Sequence, residues 1–225
     1  MMYKIALITG TSSGLGKTIA KHLLANDWVV IGVSRGKSTI IHSCYTHFRV
    51  DISDSQAVKN LFTNLNSFKF DLLINNSAVF EYQSFIDTAT QTIDKIIDIN
   101  LKGSIYVTKN ALHLMNKNSR IIFINSVAGL EELENQSIYC ASKYGLTAFA
   151  GVLGKELRGE SIKVTSIHPG GINTPMWDSN KDFHTDLTKL IDPQQIADMI
   201  TFICNSQQNI EYKTIKMFPD IEWHN

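Results

Sequence analysis

Unbroken apolar runs separated by helical stretches are the feature that most constrains the fold of this chain. The clearest run is Ile-Ile-Phe-Ile at residues 121–124. A strand with one face in water alternates apolar and polar residues, so an unbroken run indicates a strand covered on both faces, as in a parallel sheet. Similar patterns predict about seven strands, at residues 4–9, 28–34, 47–50, 71–75, 120–125, 163–168 and 213–217.

Helices are predicted in the connections between these strands. Ser53 with Gln56 forms a capping-box pattern, and Asp192 followed by Pro193 predicts a cap with a proline in the first turn. The predicted helices span residues 14–26, 54–66, 92–116, 137–159 and 193–205. Strands and helices that alternate throughout residues 1–225 predict a single α/β domain, a three-layer, doubly wound parallel sheet of Rossmann type with helices on both faces.

Composition narrows the class of protein. The 225 residues are 44% hydrophobic, which suits one domain with a large core. Twenty-one basic and 21 acidic side chains give no net charge, which argues against a nucleic-acid partner. No apolar stretch reaches the ~18 residues of a membrane span. The three cysteines and seven histidines show neither disulfide nor metal-ligand spacing, so we expect no metal and a reducing, cytoplasmic environment.

A glycine-rich turn joins the first predicted strand to the first predicted helix. Its sequence, Thr-Gly-Thr-Ser-Ser-Gly-Leu-Gly at residues 9–16, has the spacing G-x-x-x-G-x-G. Glycines let the backbone approach a pyrophosphate, and the helix N-terminus offers N–H groups and a positive dipole. Three glycines in a turn are also found in purely structural loops. After the first strand of an α/β chain, however, they predict a dinucleotide site formed by Gly10, Ser12, Ser13, Gly14, Leu15 and Gly16.

The end of the second predicted strand bears on which dinucleotide binds. An acidic residue there would hydrogen-bond a ribose 2′-hydroxyl, whereas an arginine accommodates a 2′-phosphate. The chain has Ser34 and Arg35 at this point and no acid. This favours NADP(H) over NAD(H). The alternative is that Arg35 stacks on the adenine or faces solvent, in which case both cofactors bind.

A serine, a tyrosine and a lysine have the spacing of a proton-transfer set. Tyr139 lies thirteen residues after Ser126 and four before Lys143, and residues four apart share one face of a helix. A cation at roughly 4 Å, with an effective dielectric of about 20, favours the phenolate by ~4 kcal/mol, or about three pKa units. The pKa of Tyr139 is therefore expected to fall from ~10 to near 7, where a proton-transfer catalyst works best. Tyr-x-x-x-Lys pairs also occur by chance in many chains.

With the glycine loop and the Ser-Tyr-Lys set in place, the chain resembles the short-chain dehydrogenase/reductase family over about residues 4–217. Three further segments match that family: Asn-Asn-Ser-Ala at 75–78, Asp-Ile at 51–52 and Pro-Gly-Gly-Ile-Asn-Thr at 169–174. Besides the glycine loop, Ser34 and Arg35, the resemblance implies that the cofactor contacts Asp51, Ile52, Asn75, Ser77, Ala78, Tyr139, Lys143, Pro169, Gly170, Ile172 and Thr174.

The resemblance also implies a catalytic role for four residues. Tyr139 would exchange a proton with the substrate oxygen, and Lys143 would lower the pKa of Tyr139 and hold the nicotinamide ribose. Ser126 would hydrogen-bond the carbonyl oxygen, and Asn100 would hold a water in a proton relay to Lys143. Asn100 lies on the apolar face of its predicted helix, and a buried amide has to be hydrogen-bonded. The structural alternative is a core asparagine that ties down a helix bend near Gly103.

These residues predict an NADP-dependent carbonyl reductase or alcohol dehydrogenase acting on a small, mostly apolar ketone or aldehyde. The alternatives are an NAD-dependent alcohol or polyol dehydrogenase and a non-catalytic nucleotide-binding scaffold or sensor. Residues 218–225 lack the glycine-rich segment that the family usually has, which leaves the oligomeric state open between a homodimer and a homotetramer. The candidates for the substrate wall are Phe80, Tyr82, Phe85, Val127, Leu130, Leu133, Met176, Trp177 and Phe183.

Overall fold

The sheet has the seven parallel strands that the apolar runs predict. In the computed structural model, which describes residues 3–179 and 186–220, the strand order is β3-β2-β1-β4-β5-β6-β7. The strands are β1 (Ile5–Thr9), β2 (Val29–Ser34), β3 (Tyr45–Arg49), β4 (Phe70–Asn75), β5 (Met115–Ile124), β6 (Lys163–Pro169) and β7 (Thr214–Met217). Because β1 has β2 on one side and β4 on the other, the winding direction reverses there, and a crevice is expected at the carboxyl ends of these strands.

Helices cover both faces of this sheet. Within the described ranges they are α1 (Gly14–Ala25), α2 (Ser55–Asn64), α3 (Thr90–Ile97), α4 (Ser104–Ala111), α5 (Ser137–Glu156) and α6 (Pro193–Asn205). None of the helices in this part of the chain is both long enough and apolar enough to cross a membrane.

The run 121–124 in β5 accounts for the two cores, because successive strand residues point to opposite faces of a sheet. Ile121 and Phe123 belong to a cluster of buried residues from α2, α4 and α5. Ile122 and Ile124 belong to a second cluster, with buried residues from α1 and α6. The strand is therefore apolar at every position because each face is buried under helices, as the sequence predicts.

The predicted helix 92–116 is wrong in its middle and at its C-terminal end. A π-helical segment, Asp98–Gly103, separates α3 from α4, and a short 3-10 turn ends the helical region before β5 begins at Met115. At Gly103 a Cβ atom would lie 2.8 Å from Ile52 Cδ1, so only glycine allows the helix to pass this close to the neighbouring loop. The wider π turn places Asn100 in the buried interior, and such turns often occur at functional sites.

The predicted capping box at Ser53 is also wrong, by one residue. Asp54 is the N-cap of α2, and its carboxylate accepts the backbone N–H of Gln56. The Ser53 hydroxyl instead donates to Asp51 Oδ1 at 2.7 Å. The predicted cap at Asp192 is confirmed, since its side chain accepts a backbone N–H in the first turn of α6.

Candidate active site

A cavity of about 1160 Å³ opens where the carboxyl ends of β1, β2, β4, β5 and β6 meet. It brings together residues that are far apart in sequence and that the sequence analysis assigned to cofactor binding or catalysis. Those that line it are Gly10, Ser12, Ser13, Gly14, Leu15, Gly16, Ser34, Arg35, Asp51, Ile52, Ser77, Ala78, Ser126, Tyr139, Lys143, Pro169, Gly170, Ile172 and Thr174. In the part of the chain that the structure describes, no group of three or more His, Cys, Asp or Glu side chains could hold a metal ion.

The glycine loop is shaped by close backbone contacts. Gly10 has a φ of 80°, in the left-handed region that favours glycine, and a Cβ there would lie 2.6 Å from Asn76 Nδ2. Helix α1 begins at Gly14, and its N-cap residue Ser13 makes no side-chain capping hydrogen bond. The N–H groups of the first turn are thus left for an anionic ligand, as the sequence predicts for a pyrophosphate.

The end of β2 presents Arg35 to the cavity, but Arg35 already has a partner. Its Nη1 lies 3.8 Å from Asp51 Oδ2, and both side chains are largely exposed. Burial would raise the pKa of Asp51, but hydrogen bonds from Ser53 and the charge of Arg35 outweigh it, so the pKa of that carboxyl lies below its usual value. An exposed ion pair of this kind contributes little stability, so it leaves Arg35 able to turn toward another anion.

The side chain of Ser34 is committed to the protein. Its Oγ lies 2.8 Å from His47 Nε2 and donates to the Gly36 carbonyl at 3.1 Å. Burial is the main cause that lowers the pKa of His47, and the nearby Arg49 charge adds to it. These bonds hold the end of β2 against β3. Ser34 therefore contributes mainly to the shape of the cavity wall.

The prediction that Asn75 contacts the cofactor needs correction. Asn75 is 2% exposed, does not line the cavity, and donates from Nδ2 to Thr108 Oγ1 on α4 at 2.9 Å. Its neighbour Asn76 lines the cavity instead and donates from Nδ2 to the Thr9 carbonyl at 2.9 Å. Because consecutive residues leave a strand on opposite sides, only one of two adjacent asparagines reaches the cavity. The sequence contains both asparagines but does not indicate which of them reaches the cavity.

Tyr139 is buried at the base of the cavity, near the N-terminus of α5. Its ring stands edge-on to Phe80, with centroids 4.9 Å apart, and the Ser126 side chain is close enough to its hydroxyl to lower the pKa of the tyrosine. The Ser126 hydroxyl also accepts the Ala128 N–H at 3.2 Å. Burial acts in the opposite direction to Ser126, is the larger effect, and raises the pKa of Tyr139 to about 12.

Lys143 lies one turn further along α5 and is 2% exposed. Its Nζ is 5.5 Å from the centre of the Tyr139 ring and donates to the Ile124 carbonyl at 3.2 Å. No ion pair to Lys143 is found among the described residues, and burial lowers its pKa to about 7. The predicted fall in the pKa of Tyr139 is therefore wrong for the protein without ligand. Burial disfavours the charged form of both side chains, and it is the largest cause of both pKa shifts.

Asn100 lies behind the cavity wall, and its side-chain amide is occupied. Its Oδ1 accepts the Val79 N–H at 2.8 Å, and its Nδ2 donates to the Val79 carbonyl at 2.9 Å and to Ser142 Oγ at 3.2 Å. The Ser142 hydroxyl in turn donates to the Tyr139 carbonyl. The amide uses both N–H donors of its Nδ2 and one lone pair of its Oδ1 in these bonds. It connects the loop after β4 to the helix that carries Tyr139.

His168 is a buried residue of this region that the sequence analysis missed. It lies at the end of β6, and its Nδ1 is 3.0 Å from the Ser126 carbonyl oxygen. Burial lowers the pKa of His168, so the ring is neutral and can donate from Nδ1 to that oxygen. No spacing in the sequence relates His168 to Ser126, because the contact depends on the pairing of β5 with β6.

Six of the nine candidates for the substrate wall line the cavity. Phe85 is 62% exposed and does not line it, and neither does Leu130. Phe183 lies outside the described residues. The six that line the cavity are Phe80, Tyr82, Val127, Leu133, Met176 and Trp177.

Comparison with known proteins fits this geometry. The sequence profile of the family described as short chain dehydrogenase matches residues 4–184. This chain belongs to the short chain dehydrogenase family. An uncharacterized oxidoreductase of Staphylococcus epidermidis is 29% identical to it, over 96% of this chain and 97% of that protein.

Two further proteins similar to this short chain dehydrogenase have an activity in their names. The 3-oxoacyl-(acyl-carrier-protein) reductase FabG of Rickettsia conorii is 29% identical over 91% of this chain and 90% of its own length. The solved structure of 4-hydroxyisoleucine dehydrogenase complexed with NADH is 25% identical and has a TM-score of 0.85. The match covers 96% of this chain and 97% of that one. The chain is therefore an oxidoreductase of this family, and a nicotinamide cofactor is the ligand to test against its cavity.

The residues of this short chain dehydrogenase fit such a cofactor. The first turn of α1 has no side-chain cap to compete with a pyrophosphate. A lysine has three donors, and one of those of Lys143 is taken by the Ile124 carbonyl, which leaves donors for ribose hydroxyls. Arg35, at the other end of the cavity, lies on the loop where a 2′-phosphate would need a cation.

Proposed function

We propose that this protein is an NADP-dependent carbonyl reductase, with alcohol oxidation as the reverse reaction, and that residues 1–225 form one domain holding both the cofactor and the catalytic groups. The observation that carries the proposal is the arrangement at Tyr139. The Ser126 side chain lies near its buried hydroxyl, Lys143 lies beside its ring, and all three line the same cavity as the glycine loop.

The roles follow from the chemistry of these groups. The bound cofactor supplies the hydride that adds to the carbonyl carbon. Tyr139 donates its proton to the carbonyl oxygen, and Ser126 donates a hydrogen bond to the same oxygen as negative charge develops on it. Because the pKa of Tyr139 is about 12, the tyrosine is protonated at neutral pH, which suits proton donation and hence the direction of reduction.

Lys143 restores the proton that Tyr139 has given up. With a pKa of about 7 it both holds and releases a proton at neutral pH. Its ammonium would also hold the ribose of a bound nicotinamide cofactor, with the donors that the Ile124 carbonyl leaves free. Asn100 has a positioning role in this proposal, because its amide holds Val79 and Ser142 rather than a group in the cavity.

The substrate in this proposal is a small, mostly apolar ketone or aldehyde. Aromatic and aliphatic side chains surround the space beside Tyr139, which supports an apolar ligand. We also propose a homodimer or homotetramer, supported by the exposed apolar side chains of Tyr144 and Val152 on α5. A cytoplasmic location is supported by three cysteines that are all unpaired.

The test is turnover of carbonyl compounds by the purified protein with NADPH, followed by the loss of nicotinamide absorbance. We expect aldehydes and methyl ketones to be reduced, and a 3-oxoacyl thioester is included because one relative bears that activity in its name. Binding of NADPH without turnover of any compound would contradict the proposed reductase and favour a sensor or scaffold.

A second candidate is an NAD-dependent alcohol or polyol dehydrogenase. Two observations favour it: Arg35 is paired with Asp51 rather than free, and 4-hydroxyisoleucine dehydrogenase has been solved in complex with NADH. Tighter binding of NADH than of NADPH, with faster alcohol oxidation than carbonyl reduction, would select this candidate.

Replacing Arg35 by aspartate separates the two cofactors. We expect Arg35→Asp to weaken NADPH binding roughly 10–100-fold, because a hydrogen bond to a charged group contributes about 1.5–3 kcal/mol. NADH binding should change much less, since a carboxylate can accept a bond from the ribose 2′-hydroxyl. The measurement is a fluorescence titration of the variant with each reduced cofactor.

Lys37→Asp is the matched control for this titration. It makes the same change of charge on the same loop, but Lys37 is exposed and does not line the cavity. It should leave the ratio of the two affinities within about twofold. Equal losses of NADPH and NADH affinity in Arg35→Asp would remove Arg35 from the 2′-phosphate site.

A further inference from the structure

We propose that Phe80 determines which carbonyl compounds this enzyme accepts, by limiting the size of the substituent beside Tyr139, so that aldehydes and small methyl ketones are the preferred class. This inference rests on the proposed reductase function and adds the residue that sets its specificity. It comes from three observations: a row of contacting rings, a rigid backbone behind the central ring, and an anchored indole on its far side.

Phe80 is the central ring of a row of three. Its centroid is 4.9 Å from that of Tyr139, with the planes at 78°, and 5.5 Å from that of Trp177, with the planes at 68°. Only 7% of Phe80 is exposed, yet it lines the same cavity as the Tyr139 hydroxyl. Edge-to-face contacts at these distances are favourable, so the ring has a defined position. A substituent on a carbonyl bound at Tyr139 therefore meets Phe80 as a neighbouring wall.

The backbone next to Phe80 is hydrogen-bonded to the side chain of Asn100, a residue of the π-helical segment. Asn100 accepts the N–H of Val79 at 2.8 Å and donates to the carbonyl of the same residue at 2.9 Å. Asn100 is fully buried, so breaking either bond would leave a buried polar group unsatisfied. Phe80 follows Val79 directly in the chain. Its main chain therefore cannot move away to make room for a large substituent without that cost.

The next residues of the same loop are fixed as well. Asn135 donates from Nδ2 to the Tyr82 hydroxyl at 3.1 Å, and its carbonyl accepts the N–H of Gln83 at 2.8 Å. Asn135 has a φ of 58°, a left-handed conformation that asparagine tolerates better than most residues. These two bonds join the loop after β4 to the loop after β5. The wall that contains Phe80 is thus preformed on both sides of the ring.

Trp177 forms the far side of the row and is anchored independently. Its Nε1 donates to the Ile172 carbonyl at 2.6 Å, in the segment that follows β6. Phe80 consequently lies between the Tyr139 ring on α5 and the Trp177 ring in the segment after β6. The space that a substituent can occupy is set by the volume of the Phe80 side chain rather than by loop movement.

The experiment measures kcat/KM for methyl ketones whose second substituent grows from methyl to butyl to phenyl. In Phe80→Ala we expect the ratio of kcat/KM for the phenyl ketone to that for the methyl ketone to rise roughly 10–100-fold, because pocket contacts of this size discriminate by about that much. The ratio is used because loss of the contact with Tyr139 changes every rate alike. Phe80→Leu is measured beside it, and a smaller rise of the same sign is expected.

Phe85→Ala is the matched control, because Phe85 lies on the same loop but is exposed and does not line the cavity. Its ratio should equal that of the wild type. A ratio that stays constant in both Phe80 variants would overturn the inference. If the wild type reduces no ketone, the proposed function fails, and the size limit is then judged from ketone binding to the NADPH complex by nicotinamide fluorescence. An unchanged order of affinities in Phe80→Ala would overturn it there too.

Discussion

Tyr139→Phe is expected to reduce kcat by roughly 10²–10⁴-fold, the usual contribution of a general acid. The substitution removes the hydroxyl and keeps the ring, so the edge-on contact with Phe80 remains. The Ser126 hydroxyl keeps its bond to the Ala128 N–H at 3.2 Å. The fold and the NADPH affinity should therefore stay close to those of the wild type. The measurement is steady-state reduction of an aldehyde, together with an NADPH titration of the same preparation.

Tyr144→Phe is the matched control for this experiment. Tyr144 is on the same helix and also has a pKa of about 12, there because its hydroxyl donates to Glu132 Oε1 at 2.7 Å. It is partly exposed and does not line the large cavity, so its removal should leave kcat unchanged. If Tyr139→Phe retained more than about a tenth of the wild-type kcat, Tyr139 would not be the proton donor.

The strands could be predicted from the sequence because their signal is local. The run 121–124 is apolar at every position, and the structure buries both faces of that strand. The π-helical segment Asp98–Gly103 has no such signal. Its Gly103 lies so close to Ile52, a residue distant in sequence, that an added Cβ would be 2.8 Å from Ile52 Cδ1. The capping error has a local cause: Ser53 and Asp54 are both good cap residues, and Asp51, two residues before Ser53, accepts the Ser53 hydroxyl.

The site was predictable as a set of neighbours but not as an electrostatic environment. Residues that follow neighbouring parallel strands meet at one edge of the sheet, so the glycine loop and Ser126 could be placed together from sequence. The pKa values of these residues could not be predicted in this way. From its spacing alone, the lysine of Tyr-x-x-x-Lys is expected to be a cation near water. The structure instead buries Lys143, and among the described residues no carboxylate forms an ion pair with it. Burial depends on how the whole domain packs. Here it raises the pKa of Tyr139, whereas the spacing predicted that this pKa would fall.

Lys143→Met is expected to abolish turnover and yet to stabilise the protein without ligand at pH 7. Burial lowers the pKa of Lys143 to about 7 in the folded state, against ~10.4 in the unfolded chain. Between these values the unfolded state binds more protons, so folding releases a proton and the free energy of unfolding rises with pH. A methionine has no proton to release. We expect the variant to be more stable at pH 7 by up to about 4 kcal/mol, less what the lost bond to Ile124 contributed.

Chemical denaturation at two pH values checks both the size and the sign of this effect. The difference between Lys143→Met and the wild type should be largest at pH 7 and below, where the wild type carries the full cost of its buried amine. It should shrink toward pH ~10, where the lysine is neutral in the folded state and, close to its unfolded pKa of ~10.4, gains little from protonation in the unfolded one. Lys155→Met, on the exposed side of the same helix, should give no such dependence. A variant less stable than the wild type at pH 7 would mean that Lys143 is already compensated in the folded protein. An active site can keep such a group buried even though this lowers the stability of the protein. A charge that the protein has already neutralised would interact less strongly with a ligand.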